Sequence, residues 1–320
     1  MQTISKLFLP VAAAALLLSC TSEIDIRVNP LSPCAVLNAS LSEDSVITAH
    51  VSRTLNGVQP SGSLFINNAS VEVFVNGGSR GIMQKEAAPG QYILPGCYPA
   101  AGDHVRMEVV TTDYEPLSAA VTLPPRPVIL SVDTQTYRPE TSVGRQVVNM
   151  QIRLKDPAGT KNYYMLYAAG YTTVKEENGI RTDNYPVSIV HNEERLLEEV
   201  VYEYGYDSNG AYYPISSYYL FTDEWIDGNE YTLKIALNMP ANLPGNDPSV
   251  PVTNTCQVIV SALSESRYLY CRSKALQRKQ QEDLFGSIGL REPIPTYTNV
   301  LNGYGLLSAK QSVVYEIKRQ

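Results

Sequence analysis

The side chains that could carry acid–base chemistry in this sequence form three short groups of neighbouring carboxylates. They are Asp223-Glu224, Asp227 with Glu230, and Glu193-Glu194. A glycosidase needs two carboxylates held across a scissile bond, and closeness in the sequence neither requires nor suggests that arrangement. The segment DEWIDGNE (223–230) is typical of an exposed turn that enters a strand, with Asp227-Gly228 as the turn residues. Calcium or partner binding is the alternative for this segment.

Other catalytic and metal-binding patterns are missing from the sequence. It has no G-x-S-x-G, H-E-x-x-H or G-x-x-x-x-G-K-[ST] motif, and no G-x-G-x-x-G after a predicted strand. The histidines are His50, His104 and His191, and no Cys-x-x-Cys pair accompanies them. A zinc site of His and Cys is therefore not expected. We predict a protein that is not an enzyme and that needs no metal or cofactor.

The N-terminal segment predicts lipid modification at Cys20. Lys6 is followed by the apolar run Leu7 to Leu18, which is shorter than the roughly 20 residues of a membrane-spanning helix. The run therefore indicates a signal peptide, residues 1–19. Its end, LLSC, resembles a bacterial lipobox, in which the cysteine thiol is diacylglycerylated, the chain is cut before it and the new amino group is acylated. Residues 20–29 would then be a lipidated tether, and an ordinary secretory peptide is the alternative.

Four cysteines remain after Cys20, and they allow two disulfides. They are Cys34, Cys97, Cys256 and Cys271. Of the three possible pairings in an oxidising compartment, the local one, 34 with 97 and 256 with 271, is the simplest. Buried free cysteines that act as small hydrophobic residues are the alternative.

Composition and charge narrow the class of protein. The net charge is −7 and becomes one unit more negative when Lys6 leaves with the signal peptide. Nucleic-acid binding is not expected, because it needs a basic surface that displaces counterions. The 22 tyrosines, 21 prolines and 20 glycines suit a protein of many strands and turns.

Alternating apolar residues predict a first antiparallel β-sandwich over residues 30–124. Three segments show the alternation: SVITAHVSR with Ile47, Ala49 and Val51, SVEVFVN with Val71, Val73 and Val75, and HVRMEVV with Val105, Met107 and Val109. A period of two is typical of half-buried strands, and glycine-containing turns separate them. The order of strands and turns resembles immunoglobulin-like or prealbumin-like modules.

The remaining residues, 125–320, are predicted to form a second β-rich domain with one helix. The stiff joint LPPRPVIL (123–130) precedes it. Strand alternation then resumes in VVNMQIRLKD (147–156) and YTLKIAL (231–237). The helix is predicted over about 264–281, with Ser264 as N-cap and basic residues late in the segment.

A tyrosine-rich hairpin is the candidate ligand or partner surface. The segment VYEYGYDSNGAYYPISSYY (201–219) predicts two strands around the turn 207–210. The candidate residues are Tyr202, Tyr204, Tyr206, Tyr212, Tyr213, Tyr218 and Tyr219. Exposed, these rings could stack on sugars or grip a peptide. Cross-strand pairing that only stabilises the hairpin is the alternative.

Three blocks in a fixed order resemble the Bacteroidota lipoprotein family known as domain of unknown function 4249 (DUF4249). The blocks are LFTDEWIDGNEYTLKI (220–235), VSALSESRYLYCRSKALQRK (260–279) and YTNVLNGYGLLSA (297–309). The segments LNASLSEDSVITAHVSRT (37–54) and INNASVEVFVNGG (66–78) are similar in kind and order, so the resemblance covers the mature chain. The third block departs from the pattern at Leu306-Leu307, where Ile-Phe is more usual.

The resemblance implies an outer-membrane lipoprotein that is usually encoded beside a TonB-dependent receptor and has no established catalytic activity. We expect an accessory subunit of a nutrient uptake system, which captures substrate or docks on the receptor. A structural or adhesive envelope protein, with sandwiches as spacers, is the alternative. Glu23 and Asp25 lie just behind Cys20, as acidic residues do in surface lipoproteins that resemble this one. They favour a location on the cell surface, unless they only keep the tether solvated.

Overall fold

The computed structural model describes residues 32–55, 63–137, 146–176, 179–185, 187–190, 194–197, 199–206, 212–239, 252–287 and 289–318. The predicted signal peptide, Cys20 and the tether lie outside these ranges. Within the ranges, no helix has both the length and the apolar character needed to span a membrane.

In the described part of the first half, eight strands form an antiparallel sandwich. They are β1 (Ala35–Leu41), β2 (Ile47–Arg53), β3 (Ser70–Val75), β4 (Gly78–Ile82), β5 (Gln84–Lys85), β6 (Gln91–Leu94), β7 (His104–Val110) and β8 (Leu117–Thr122). One sheet has the order β4-β3-β7-β8, and β1-β2-β6-β5 is the end of a longer sheet. The predicted inward-facing residues of β2, β3 and β7 are all buried in one core. The prediction of a first β-sandwich is confirmed.

The described ranges of the second half contain ten further strands and the helices. The strands are β9 (Val128–Tyr137), β10 (Gln146–Lys155), β11 (Tyr163–Glu176), β12 (Gly179–Tyr185), β13 (Ser188–Val190), β14 (Glu199–Tyr206), β15 (Tyr212–Thr222), β16 (Glu230–Met239), β17 (Val252–Leu263) and β18 (Tyr304–Lys318). The helices are the 3-10 turn Arg195–Leu197, α1 (Glu265–Glu282) and the short α2 (Leu284–Ser287). A second core lies between the sheet β13-β16-β10-β9 and the long sheet.

The helix α1 forms where the sequence predicts it. Ser264 is the N-cap, and its hydroxyl accepts the Arg267 N–H at 3.3 Å. Tyr268, Cys271 and Ala275 share one face and pack, with Tyr163 and other residues, into a third cluster. The members of β11 alternate between the second and third clusters, so α1 covers the face of the long sheet that lies opposite the second core.

The strand β18 connects the two halves. Its first part runs parallel to β1, from Tyr304 opposite Val36 to Ala309 opposite Leu41, and its second part runs antiparallel to β17. The long sheet of ten strands is therefore continuous through both halves, and β18 supplies Leu307 and Ala309 to the first core. The predicted domain boundary at 124 stays a prediction, and the structure adds that the end of the chain completes the first sandwich.

Gly305 is required for this parallel pairing. Its φ is +115°, which side chains other than glycine rarely adopt, and a Cβ added there would lie 1.9 Å from the carbonyl oxygen of Leu37. Asn302 also has a positive φ, of 60°, and its side-chain amide donates to Pro116 O at 3.1 Å. The segment NGYG within the third sequence block therefore guides β18 into contact with β1.

The joint between the halves is secured by Arg126. Its guanidinium donates to Glu43 at 3.0 Å, to Asp44 at 2.6 Å and to the carbonyl of Ser312 in β18 at 3.3 Å. Hydrogen bonding to the two carboxylates raises the pKa of Arg126. The proline-rich joint is thus tied both to the β1–β2 turn and to β18.

The predicted disulfides are not formed: Cys34, Cys97, Cys256 and Cys271 are all free. Cys34 precedes β1 and pairs with Thr54 after the end of β2, whereas Cys97 accepts the Ile47 N–H at the start of β2. The length of β2 separates them by roughly 20 Å, which is too far for a disulfide. Cys256 and Cys271 belong to the second and third clusters, on opposite faces of the sheet.

We expect Gly305→Ala to lower the free energy of unfolding by about 3 kcal/mol or more, because both its φ and the Leu37 carbonyl oppose a side chain. Gly102→Ala is the matched control, since Gly102 has a φ of +85° and nothing within 4 Å of an added Cβ. It should cost about 1 kcal/mol. Urea unfolding measures both. Equal losses in the two variants would contradict the role of close contact between β18 and β1.

Candidate functional site

Three aspartates meet at one end of the second half of the chain. Asp156 follows β10, Asp223 follows β15, and Asp227 lies in the turn before β16. Their carboxylate oxygens lie within 4.8 Å of one another. The sequence indicates the turn 223–230, but it does not indicate Asp156, which strand pairing brings there.

Hydrogen bonds from the protein engage each of these carboxylates. Asp156 accepts the Tyr164 hydroxyl at 2.6 Å and the Gly228 N–H at 3.1 Å. Asp223 accepts the Asn162 N–H at 2.6 Å, and Asp227 accepts the Gly159 N–H at 3.0 Å. The oxygens are of the type that calcium binds, yet these contacts already explain the cluster as a brace between two loops.

The environment of Asp156 disfavours its charge. Burial raises its pKa above the ordinary 3.8, the hydrogen bonds from Tyr164 and Gly228 lower it, and the charges of Asp223 and Asp227 raise it. The net shift is upward. Burial and the bond to Asp156 likewise raise the pKa of Tyr164.

The same turn presents the single tryptophan of the chain. Trp225 is 76% exposed, while its neighbour Ile226 is buried in the second core. Gly228 completes the turn with a φ of +66°, and a Cβ there would lie 2.7 Å from that of Ala158. The bracing contacts and the buried isoleucine therefore hold an exposed aromatic ring on a fixed turn.

The tyrosine-rich hairpin exists as a pair of strands. The backbones of β14 and β15 pair antiparallel, with Tyr202 opposite Ser217 and Tyr206 opposite Tyr212. The turn 207–210 lies outside the described residues. The structure describes only the backbone, and not the side chains, of Tyr202, Tyr204, Tyr206, Tyr212 and Tyr213.

Tyr219 does not belong to an exposed surface, which corrects the prediction. It is buried in the second core, and its hydroxyl donates to Ile189 O at 3.2 Å. Tyr218 points to the other face and packs, partly buried, against the third cluster. Both rings are covered because the second core lies on one face of the sheet here and α1 lies on the other.

A groove of about 380 Å³ lies on the outer face of the first sandwich. Its floor consists of side chains that point away from the first core, on β1, β2 and β18, and among them are Asn38, Ser40, Thr48 and Ser308. The start of α1 forms one wall through Arg267 and Tyr270. Such a volume lies within the usual range for small-molecule sites.

Arg267 is the unusual member of this groove. Its Nε atom is buried and has no hydrogen-bond partner in the described structure. Its backbone is fixed, because Ser264 caps its N–H and Ser266 donates to Leu307 O at 2.9 Å. The protein therefore holds a cation at the groove, and no carboxylate of the described residues forms an ion pair with it.

No sequence pattern indicates this groove. Its residues come from positions 38 to 308, and they meet only through the pairing of β18 with β1 and the packing of α1. The one available signal is the set of small polar residues at outward positions of β1 and β2, which by itself is typical of any solvated sheet face.

Comparison with known proteins gives a family match. The family described as "Domain of unknown function (DUF4249)" matches residues 21–316. No curated protein matches the sequence.

Among solved structures, the chain is similar to two described as "Biofilm associated protein". The B domain shows 6% identity and a TM-score of 0.17, covering 88% of this chain and 85% of that one. The BSP domain shows 9% identity and a TM-score of 0.18, covering 91% and 62% respectively. TM-scores this low carry no argument.

The raised pKa of Asp156 predicts a specific pH dependence of stability. An acid whose pKa is higher in the folded state stabilises the fold fully below its unfolded pKa, and this stabilisation is lost as the pH rises through the folded pKa. The free energy of unfolding of the wild type minus that of Asp156→Asn should therefore fall as the pH rises above about 3.8.

Asp103→Asn is the control of opposite sign. Hydrogen bonds from Ala100 and Asn76 lower the pKa of Asp103, so its contribution is present above the unfolded pKa and is lost as the pH falls through the folded pKa. Urea unfolding at a series of pH values measures both differences. A difference for Asp156→Asn that is flat, or that rises with pH, would contradict the assigned environment.

Proposed function

We propose, on the premise that this chain belongs to the family described as domain of unknown function DUF4249, that it is an accessory subunit of a TonB-dependent nutrient uptake system. It is an outer-membrane lipoprotein without catalytic activity, and it captures a substrate or docks on the receptor. The observation that carries the proposal is the segment Leu17-Leu18-Ser19-Cys20, which stands directly before the residues that the family matches.

Acylation of Cys20 accounts for attachment to the membrane. Each buried CH₂ contributes about 0.8 kcal/mol, and stable anchoring needs more than a single chain. A lipobox cysteine carries three chains, which satisfies this requirement. Glu23 and Asp25 follow the anchor, and we propose that they favour a surface location, where a subunit that helps a receptor to bind nutrients is most useful.

The described surface offers a feature for each part of this role. The polar groove with Arg267 suits capture of a small molecule. The exposed ring of Trp225 on its braced turn suits docking, because tryptophan is enriched among the residues that dominate protein–protein interfaces. A side chain on a fixed turn also loses little entropy on binding.

A structural or adhesive role is the second candidate. The continuous long sheet and the Arg126 contacts join the two halves through several independent interactions. An element of that kind suits a spacer that holds a binding partner away from the membrane. Under this alternative, no receptor accompanies the protein.

The anchor is tested with Cys20→Ala. The variant cannot be acylated, so we expect it to leave the membrane fraction, whereas the wild type stays there after a carbonate wash. Immunoblots of soluble and membrane fractions from the native host give the distribution. A variant that remains in the washed membranes would show that attachment does not depend on the lipobox.

Docking is tested by affinity purification of tagged protein from detergent-solubilised membranes of the native host. We expect a TonB-dependent receptor in the wild-type eluate and at least tenfold less of it with Trp225→Ala, because loss of a central aromatic costs about 2 kcal/mol or more. Tyr98→Ala is the control, since Tyr98 is 62% exposed on the first sandwich. It should retain the receptor. A wild-type eluate without any receptor would favour the structural role.

A further inference from the structure

We propose that the groove between α1 and the outer face of β1, β2 and β18 binds a small polar ligand through an oxyanion group, a carboxylate or a phosphate, which Arg267 holds. The inference deepens the capture role proposed above and rests on that role for its biological meaning. Its physical basis is the groove itself. An anion titration tests binding in the groove independently of any association with a receptor.

Arg267 has no ion-pair partner among the described residues. Its buried Nε also donates to nothing in the described chain. Leaving a buried N–H donor without a hydrogen-bond partner is costly, and a bound anion that accepts from Nε would remove that cost. The guanidinium fork matches the two oxygens of a carboxylate or phosphate.

Polar side chains line the groove beside Arg267. The side chains of Ser40, Thr48 and Tyr270 line it and have no hydrogen-bond partner among the described residues. Asn38 uses its oxygen to accept the Leu306 N–H, which leaves its amide N–H₂ group as a donor. Hydroxyl and amide groups of this kind can bind the polar body of a ligand whose anionic end Arg267 holds.

Hydrogen bonds at the start of α1 fix the backbone of Arg267. Ser264 accepts the N–H groups of both Arg267 and Ala309, at 3.3 and 3.0 Å. The start of α1 is thus tied to β18, the strand that forms part of the floor. A preorganised site of this kind loses less entropy when it binds a ligand.

The charged residues of the groove also indicate which groups the ligand carries at its other end. Glu86 is the one carboxylate among the described lining residues, and it forms no ion pair there. It can accept a hydrogen bond from a hydroxyl or amino group of the ligand. The groove therefore fits a small molecule with an oxyanion at one end and donor groups at the other.

The experiment uses the acylated full-length mature protein in detergent, with inorganic phosphate and acetate as separate probes at constant ionic strength set with chloride. Chemical shifts or the thermal midpoint are followed against probe concentration. We expect saturable binding of at least one probe, and the probe that binds more tightly identifies phosphate or carboxylate as the preferred group. Absence of saturable binding by both probes overturns the inference.

Arg267→Gln should weaken binding at least tenfold, and Lys274→Gln should leave it unchanged. Lys274 is an exposed residue of the same helix, so its variant loses the same charge without touching the groove. Without added anion, Arg267→Gln should unfold at the same temperature as the wild type or higher, because it removes an unpaired buried donor. If both variants bound the anion equally weakly, the loss would be explained by net charge alone, and the inference would be overturned.

The two proposals fail in different ways. A protein that co-purifies with the receptor but binds neither probe overturns only the anion site. A protein that binds a probe through Arg267 but never accompanies a receptor contradicts only the uptake role.

Discussion

The double pairing of β18, parallel to β1 and antiparallel to β17, is the constraint on which the rest of the structure depends. Neighbouring parallel strands need a long connection between them. Here the connection from β1 to β18 contains all the other strands and the helices. The last strand therefore completes the core that the first strand begins. Gly305 permits this approach, because a side chain at that position would overlap the Leu37 carbonyl.

The same strand fixes the helix and, through it, the groove. Ser264 and Ser266 bond to the backbone of β18 at Ala309 and Leu307. The helix then covers the long sheet only over the second half, where it buries Tyr163 and Met165. Over the first half, the same face of the sheet is left open beside Arg267. The groove is thus a consequence of a continuous sheet that one helix covers incompletely.

Local sequence patterns predicted the helix and strands well, but they did not predict which distant residues are in contact. Alternation indicated the inward faces of β2, β3 and β7 and the presence of β10 and β16, and the Ser264 cap indicated the start of α1, because these signals lie within a few residues. The pairing of cysteines within each half was wrong, because Cys34 and Cys97 lie at opposite ends of β2, and Cys256 and Cys271 lie on opposite faces of the long sheet. The sequence left Tyr219 as a candidate for an exposed surface, because alternation along one strand does not show whether a second layer covers each face of the sheet.

The sequence by itself determined the elements, the apolar faces, the predicted lipid anchor and the family, since each depends on residue order over short spans or on three ordered blocks. Only the tertiary structure decided that the two halves share one sheet, that Asp156 joins Asp223 and Asp227, and that Arg267 lies beside Asn38 and Ser308 without an ion-pair partner among the described residues. Those contacts join residues up to about 270 positions apart. They depend on strand pairing and on how far α1 extends over the sheet, and no local pattern of residues specifies either one.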